Sequence, residues 1–488
     1  MIHMERHMTR RRALVATTGI GIAVLLAACS QAAPASPTAA PVAAPTSAPT
    51  SAPATAPTTA ATAAPTSAAA AAPTTVPAAA GTPATTNKVQ IQVATRGGSD
   101  GQVMITTAQA FTKQTGIPVK PVSYGPEPEY ESKELALYAT KQVADVVWDS
   151  SCCILGLGNR GLFKDLNPII KANNYDMSDY LPNALTSLSL KGKLYGMPWG
   201  VHPGNGGLVY NVNMLNSAGF SKVTEDPSSV LDWTYDTLLQ AAIKTTQQSN
   251  GRVDVFGYLP GTDYLSLTNV TGAFGGDFLS ADGTKLTMDD PNFLKGLQWV
   301  YDAFVTHKVA PAPNAQGDQL FDSQKLAMEL SGYWGQFQPG IKNNAFQWND
   351  SLQPAGPNGK RGGHLTINGI CMAASTAHPN EAWEFIKFLM SPEQNVAIVL
   401  SGGGRPAARK SVLNSPILMQ KMKSHKVWVQ AIEQAEPWRE PANFRWEEFN
   451  TTIQQSFANA WVGKQTIEQT LPQATKLLQA VLDKPVGI

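Results

Sequence analysis

Charge is scarce in this chain: 15% of its 488 residues are Asp, Glu, Lys or Arg, and 37 basic side chains stand against 36 acidic ones. No block or stripe of one sign offers a nucleic-acid surface. Cysteine is scarcer, at four positions (Cys29, Cys152, Cys153 and Cys371), with no CxxC or Cys/His spacing that would mark a zinc site. Beyond residue 29, no apolar run approaches the roughly 20 residues a membrane helix needs. The Gly-x-Ser-x-Gly elbow and the His-Glu-x-x-His pair are absent, and no P-loop lysine and serine follow Gly402-Gly-Gly404. Glu447 and Glu448 are adjacent, so on a helix they point different ways. Glycosidases instead set two carboxylates about 5 to 9.5 Å apart across a cleft. The residues therefore imply no metal, no organic cofactor and no catalytic motif. Carboxylates from separate loops could still meet in the fold.

What is present begins with Thr9-Arg-Arg-Arg12, an uncharged apolar run over 13–28, and Leu26-Ala-Ala-Cys29. Basic start, short apolar stretch and small-residue site have the form of an export signal. Thr9 to Leu14 resembles the twin-arginine signal, and Leu26 to Cys29 resembles the lipobox, whose cysteine is acylated and becomes the mature N-terminus. These resemblances imply a removed signal over 1–29 and a Cys29 lipid anchor at the outer face of the cytoplasmic membrane, in the periplasm or at the cell surface. An ordinary cleaved signal with an incidental Cys29 is the alternative. The 58 residues 30–87 are almost only Ala, Pro, Thr and Ser. They bury too little apolar area to offset the entropy of ordering, and so form a disordered linker. Fully extended, it reaches up to roughly 180 Å. Cys152 and Cys153 joined to each other, either one joined to Cys371, and three buried thiols are all compatible with the sequence.

From Lys88 the pattern changes. Lys88-Val-Gln-Ile-Gln-Val-Ala94 alternates as a strand and runs into a loop over 95–101. A helix is predicted over 102–114, a strand over 117–124, a helix over 130–140 and a strand over 144–148. This βαβαβ order predicts a mainly parallel sheet with ligand-facing loops after its strands. Farther on, Asp282-Gly283 reads as a hairpin turn. Pro379 starts a helix whose Ala382, Trp383, Phe385, Ile386 and Leu389 form a buried face.

Ala110-Phe-Thr-Lys-Gln-Thr-Gly116-Ile-Pro-Val119 resembles the helix-to-strand signature of the family-one extracellular solute-binding proteins, the maltose-binding-protein-like receptors of ABC importers. Further matches follow in order: Ala144-Asp-Val-Val147, Gly161-Leu-Phe-Lys-Asp-Leu166, Gly192-Lys-Leu-Tyr-Gly-Met-Pro198, Val209-Tyr-Asn211 and Gly275-Gly-Asp-Phe-Leu279. Ala327-Met328, Ser331-Gly-Tyr-Trp334, Glu381 to Glu393, Gly404-Arg-Pro406 and Gly463-Lys-Gln-Thr466 complete the series. The resemblance implies an α/β, two-lobed periplasmic-binding-protein-like fold of type II, each lobe a mainly parallel sheet flanked by helices, with a ligand cleft between them. Lobe one would hold 88–198 and 375–408, and lobe two 199–374 and 409–488.

A sugar presents C–H faces that stack on aromatic rings and hydroxyls that pair with carboxylate, amide and guanidinium groups. Trp148, Trp199, Trp334 and Trp446 fall where the family's cleft-facing loops lie, though core packing would account for each equally well. Arg96 and Asp100 after the first strand, Glu127 and Glu129 after the second, and Asp149 beside Trp148 are the expected hydroxyl partners, with solvated loop charges as the alternative. Arg405 and His202 complete the set, or serve a salt bridge and the local structure. The implied function is a monomeric, lipid-anchored binding protein that delivers a sugar or oligosaccharide to the membrane subunits of an ABC permease. A polyol, glycerophosphodiester or polyamine receptor, an extracellular carbohydrate-active enzyme and a ligand sensor are the alternatives.

Overall fold

The computed structural model describes residues 89–125, 129–204, 206–220, 231–337, 339–343, 345–402 and 405–486. The expected signal, Cys29 and the linker lie outside these, as does Glu127. Two five-stranded sheets organise the body. In the first, Ile91–Arg96 lies between Val119–Gly125 and Val146–Ser150 and is parallel to both. The predicted βαβαβ order forms with small shifts. The first helix runs Gly98–Thr115 and takes up part of the expected loop, and it ends at Gly116 in the left-handed region, where φ is 73°. The second helix is Glu129–Ala139.

Parallel pairing stops there, because Thr366–Met372 enters antiparallel between Val146–Ser150 and Gly196–His202. The second sheet is likewise mixed. Gly207–Asn211 runs antiparallel to both Leu326–Ser331 and Trp348–Leu352, while Arg252–Leu259 is parallel to Leu326–Ser331. Both sheets are therefore mixed, with parallel pairing among the first three strands of one and between Arg252–Leu259 and Leu326–Ser331 in the other. The expected boundary at 198/199 falls inside the strand Gly196–His202. Residues 366–372, expected in lobe two, belong to the first sheet, because every residue of that strand is buried within it.

Each sheet has its own core. The first is built from Ile91, Val93, Val146, Val147, Ile367 and Ile370 with Phe111, Trp383 and Phe385 from flanking helices. Leu208, Tyr210, Tyr258 and Met328 anchor the second, covered by Phe449, Phe457 and Leu478 of the helices Trp446–Trp461 and Ile467–Leu482. Thr466 and Gln469 cap the last helix reciprocally. The helix His425–Gln434 serves both sides: Val429 and Ile432 join the first core, while Trp428 donates to the Asp350 carboxylate at 3.3 Å from the strand Trp348–Leu352. Among the described residues, no helix is long and apolar enough to cross a membrane.

Candidate functional site

Among the described residues the chain passes between the lobes three times, the last after Ala435, and the register of the first two passages places the site. His202 pairs with Thr366 at the edge of the first sheet, and Gly207 pairs with Leu352 at the edge of the second. The two passages therefore leave one sheet side by side at His202 and Thr366 and meet the other side by side at Gly207 and Leu352. Around this hinge the first sheet ends in Arg96, Asp149-Ser150 and Gly200–His202, and Asn368 is the register partner of both Ser150 and Gly200. The second sheet ends its central strand at Ser331, just before Gly332-Tyr-Trp334.

On the first side, the Arg96 guanidinium lies over the Trp148 ring at 3.8 Å from its centre and 5.4 Å from that of Tyr130. Tyr130 donates its hydroxyl to the Trp148 carbonyl at 2.6 Å, and Trp199 meets Trp148 edge-on at 6.5 Å. Trp148 and Trp199 are buried, and among the described residues Trp148 Nε1 has no hydrogen-bond acceptor. Asp149 is fully buried, with its Oδ1 accepting the Ser150 amide. Glu134, also fully buried, was not among the sequence candidates. Its signal was present: Tyr130, Glu134 and Tyr138 recur at four-residue spacing on one helix face. Burial pushes the Tyr130 hydroxyl well above its ordinary pKa, with Glu134 and Asp149 adding to the shift and Arg96 opposing it.

On the second side, Trp334 is half-buried, with the Arg405 guanidinium 5.2 Å from its ring centre and the His202 ring edge-on at 5.0 Å. Gly332 makes room for it, since a Cβ there would lie 1.9 Å from the indole. His202 contacts the Gly204 carbonyl through Nδ1. Burial, then Arg405, holds its pKa well below the usual value, so it is neutral. The two sides adjoin through 199–202, because Arg405 Cβ lies 3.4 Å from where a Cβ on Gly200 would stand.

Trp446 belongs to a different group. It packs edge-on to Tyr264 and to Trp438, each at 4.9 Å, and is 8% exposed. Nearby Glu440, another residue missed from sequence, is buried, and burial pushes its carboxyl well above the usual range despite the Trp438 indole. Trp446 and Glu447 also face Glu134, Cys152 and Cys153 across a pocket of about 210 Å³ between the two lobes. A more polar cavity of about 590 Å³ includes the Asp277 carboxylate, which pairs with His364 at 2.8 Å and Arg439 at 3.0 Å. Asp100 lies in the first turns of the helix Gly98–Thr115 rather than in a loop, and Glu129 opens the helix Glu129–Ala139 as an exposed residue. Among the described residues, no group of three or more His, Cys, Asp or Glu side chains is placed to hold a metal ion.

The profile of the bacterial extracellular solute-binding proteins matches residues 106–426, which span both sheets and the hinge. This chain belongs to that family. As a solute-binding protein of an extracellular family, it has its place outside the cytoplasm. No curated protein matches it in sequence. Solved solute-binding proteins match it in fold. One is an ABC transporter solute-binding protein from Thermotoga lettingae bound with α-D-tagatose, 20% identical, covering 80% of this chain and 99% of its own at a TM-score of 0.69. Another is an ABC substrate-binding protein from Listeria monocytogenes in complex with cycloalternan, at 20%, 81%, 99% and 0.70. A third, from Agrobacterium vitis with bound D-mannitol, stands at 22%, 80%, 98% and 0.65. The two-lobed periplasmic-binding fold is thus shared by this solute-binding protein at low sequence identity.

Proposed function

We propose that this protein captures a sugar or oligosaccharide between its lobes and delivers it to the membrane subunits of an ABC importer. It acts as a monomer moored to the membrane through an acylated Cys29, and the ligand leaves unaltered. The observation that carries the reading is the pair of arginine-on-tryptophan stacks at the hinge, Arg96 on Trp148 and Arg405 on Trp334. The half-buried Trp334 ring suits the C–H face of a pyranose, and the guanidinium groups suit its hydroxyls. Lobe closure is then a population shift that the ligand drives by binding the closed form more tightly. The matched structures holding tagatose and cycloalternan support a carbohydrate, and the one holding D-mannitol supports a polyol as the second reading.

A thermal-shift screen of the mature protein against mono- and oligosaccharides, polyols and polyamines tests the assignment. The expected result is a raised melting temperature with one sugar class, which is then recovered intact by chromatography. Cleavage of the sugar would make the protein an enzyme, and a shift with polyamines alone would overturn the carbohydrate reading.

A further inference from the structure

The interlobe pocket of about 210 Å³ carries a chemistry that solute capture does not use. Its first-lobe wall includes the opening turn of the helix Ser151–Asn159, which directly follows the strand Val146–Ser150. That turn holds Cys152 and Cys153, both half-buried residues, with their sulfurs 3.5 Å apart. The two side chains face different lobes: Cys152 packs against the core of the second lobe and Cys153 against that of the first. The opposite wall is the start of the helix Trp446–Trp461, including Trp446 and Glu447.

We propose that Cys152 and Cys153 form a thiol-reactive site at the lobe seam, which a low-molecular-weight disulfide oxidises to a bond between the two neighbours. The family is extracellular, and disulfides persist outside the cytoplasm. The Cys153 hydrogen bond lowers the Cys152 thiol pKa, but burial and Asp149 outweigh it and leave it above its usual value. The exchange balances with Cys153 as the attacking group. Its thiolate attacks one sulfur of the disulfide and releases one thiolate. Cys152 loses its proton and attacks the Cys153 sulfur, releasing the second. The sum is two protein thiols and one disulfide giving one protein disulfide and two small thiols. Bonding draws the sulfurs together and turns Cys152 away from the second lobe, so oxidation alters the contact that closes the seam beside Trp446. Cys371 is buried within the first sheet and takes no part.

The test treats the full-length protein with glutathione disulfide, quenches the exchange with acid, removes the reagent and then digests the protein with trypsin at neutral pH. No Lys or Arg separates the two cysteines, so both lie in the peptide 142–160, apart from Cys371 in 362–387. The expected result is a loss of about 2 Da confined to 142–160, reversed by dithiothreitol. A reversible change in tryptophan emission should accompany it and vanish in Trp446→Phe. Cys371→Ser should retain the mass loss, and Cys153→Ala should abolish it. A mixed disulfide that never resolves, a bond to Cys371, a disulfide-linked dimer or no reaction of the folded protein would overturn the site. A mass loss without the Trp446-dependent emission change would overturn its coupling to the seam. Neither readout needs a sugar, so this inference can fail while the proposed function stands, and the reverse.

Discussion

The Arg96 guanidinium covers the Trp148 ring from 3.8 Å at the end of the first strand. An ordered cation on a ring is worth about 0.5 to 2 kcal/mol, and here it joins two strands at the edge the ligand is proposed to meet.

Arg96→Ala is therefore expected to weaken sugar binding by about 2- to 30-fold. Arg96→Lys should fall between variant and wild type, because it keeps the charge but lacks the planar face. Isothermal titration with the sugar identified by thermal shift reads both. Unchanged affinity in Arg96→Ala would remove this residue from the binding edge.

Gly332 gives a sharper test of the second side. A methyl there collides with the Trp334 indole at 1.9 Å, so the ring has to leave Arg405 and His202. Gly332→Ala should cost about 1 to 3 kcal/mol of stability, as overpacking does. It should also lower affinity at least as much as Trp334→Phe. Urea unfolding and ligand titration measure the two effects, and full affinity in Gly332→Ala would mean that Trp334 does not hold ligand.

The limits of reading this site from sequence follow from which signals are local. The helix stop at Gly116 and the turn at Asp282-Gly283 are set by neighbours in the chain, and both form where expected: Gly116 donates its amide to Thr112, and Leu279 bridges Leu286 across the turn. The helix Pro379–Leu389 buries the five side chains its periodicity selects. By contrast, Thr366–Met372 is buried throughout, and a strand with no solvent face reads as an apolar run without a partner. Only the returning crossing, 164 residues after His202, sets its place beside that residue. Buried Glu134 and Glu440 escaped notice because an isolated carboxylate normally reads as a solvated charge. The spacing of Tyr130, Glu134 and Tyr138 carried a clue. Trp446 was singled out by its place in the resemblance, and its edge-on packing with Tyr264 depends on a contact that spans 182 residues.

The proposed lipid anchor makes a prediction independent of the cleft. If Cys29 receives the lipid, Cys29→Ser should move the protein from the membrane fraction to the soluble extracytoplasmic fraction, because two acyl chains hold a protein firmly and none does not. Metabolic labelling with a palmitate analogue should mark the wild type and miss the variant. Membrane retention of Cys29→Ser would refute the anchor without touching the fold.

The last prediction concerns pH, and its sign rests on Asp350. This side chain is fully buried behind the second sheet, and burial pushes its pKa up to about 6, with Ser424, Trp428 and Lys423 opposing. A carboxyl raised above its unfolded value favours the fold while protonated. That stability is present below the unfolded pKa of about 4 and is lost as pH rises through about 6. Ionising Asp350 inside the fold thus costs about 3 kcal/mol at neutral pH. Asp350→Asn removes the cost while keeping the shape, so its stability relative to wild type should climb by up to about 3 kcal/mol between pH 4 and pH 7.5. His202 and His425 act in the opposite sense. Burial lowers the pKa of both, so the stability they contribute is present above about 6.5 and lost as pH falls. Wild type and variant share them, and they cancel in the difference. Urea unfolding of the pair at several pH values isolates the Asp350 contribution, and parallel stability curves would show that its carboxylate is accommodated at no cost.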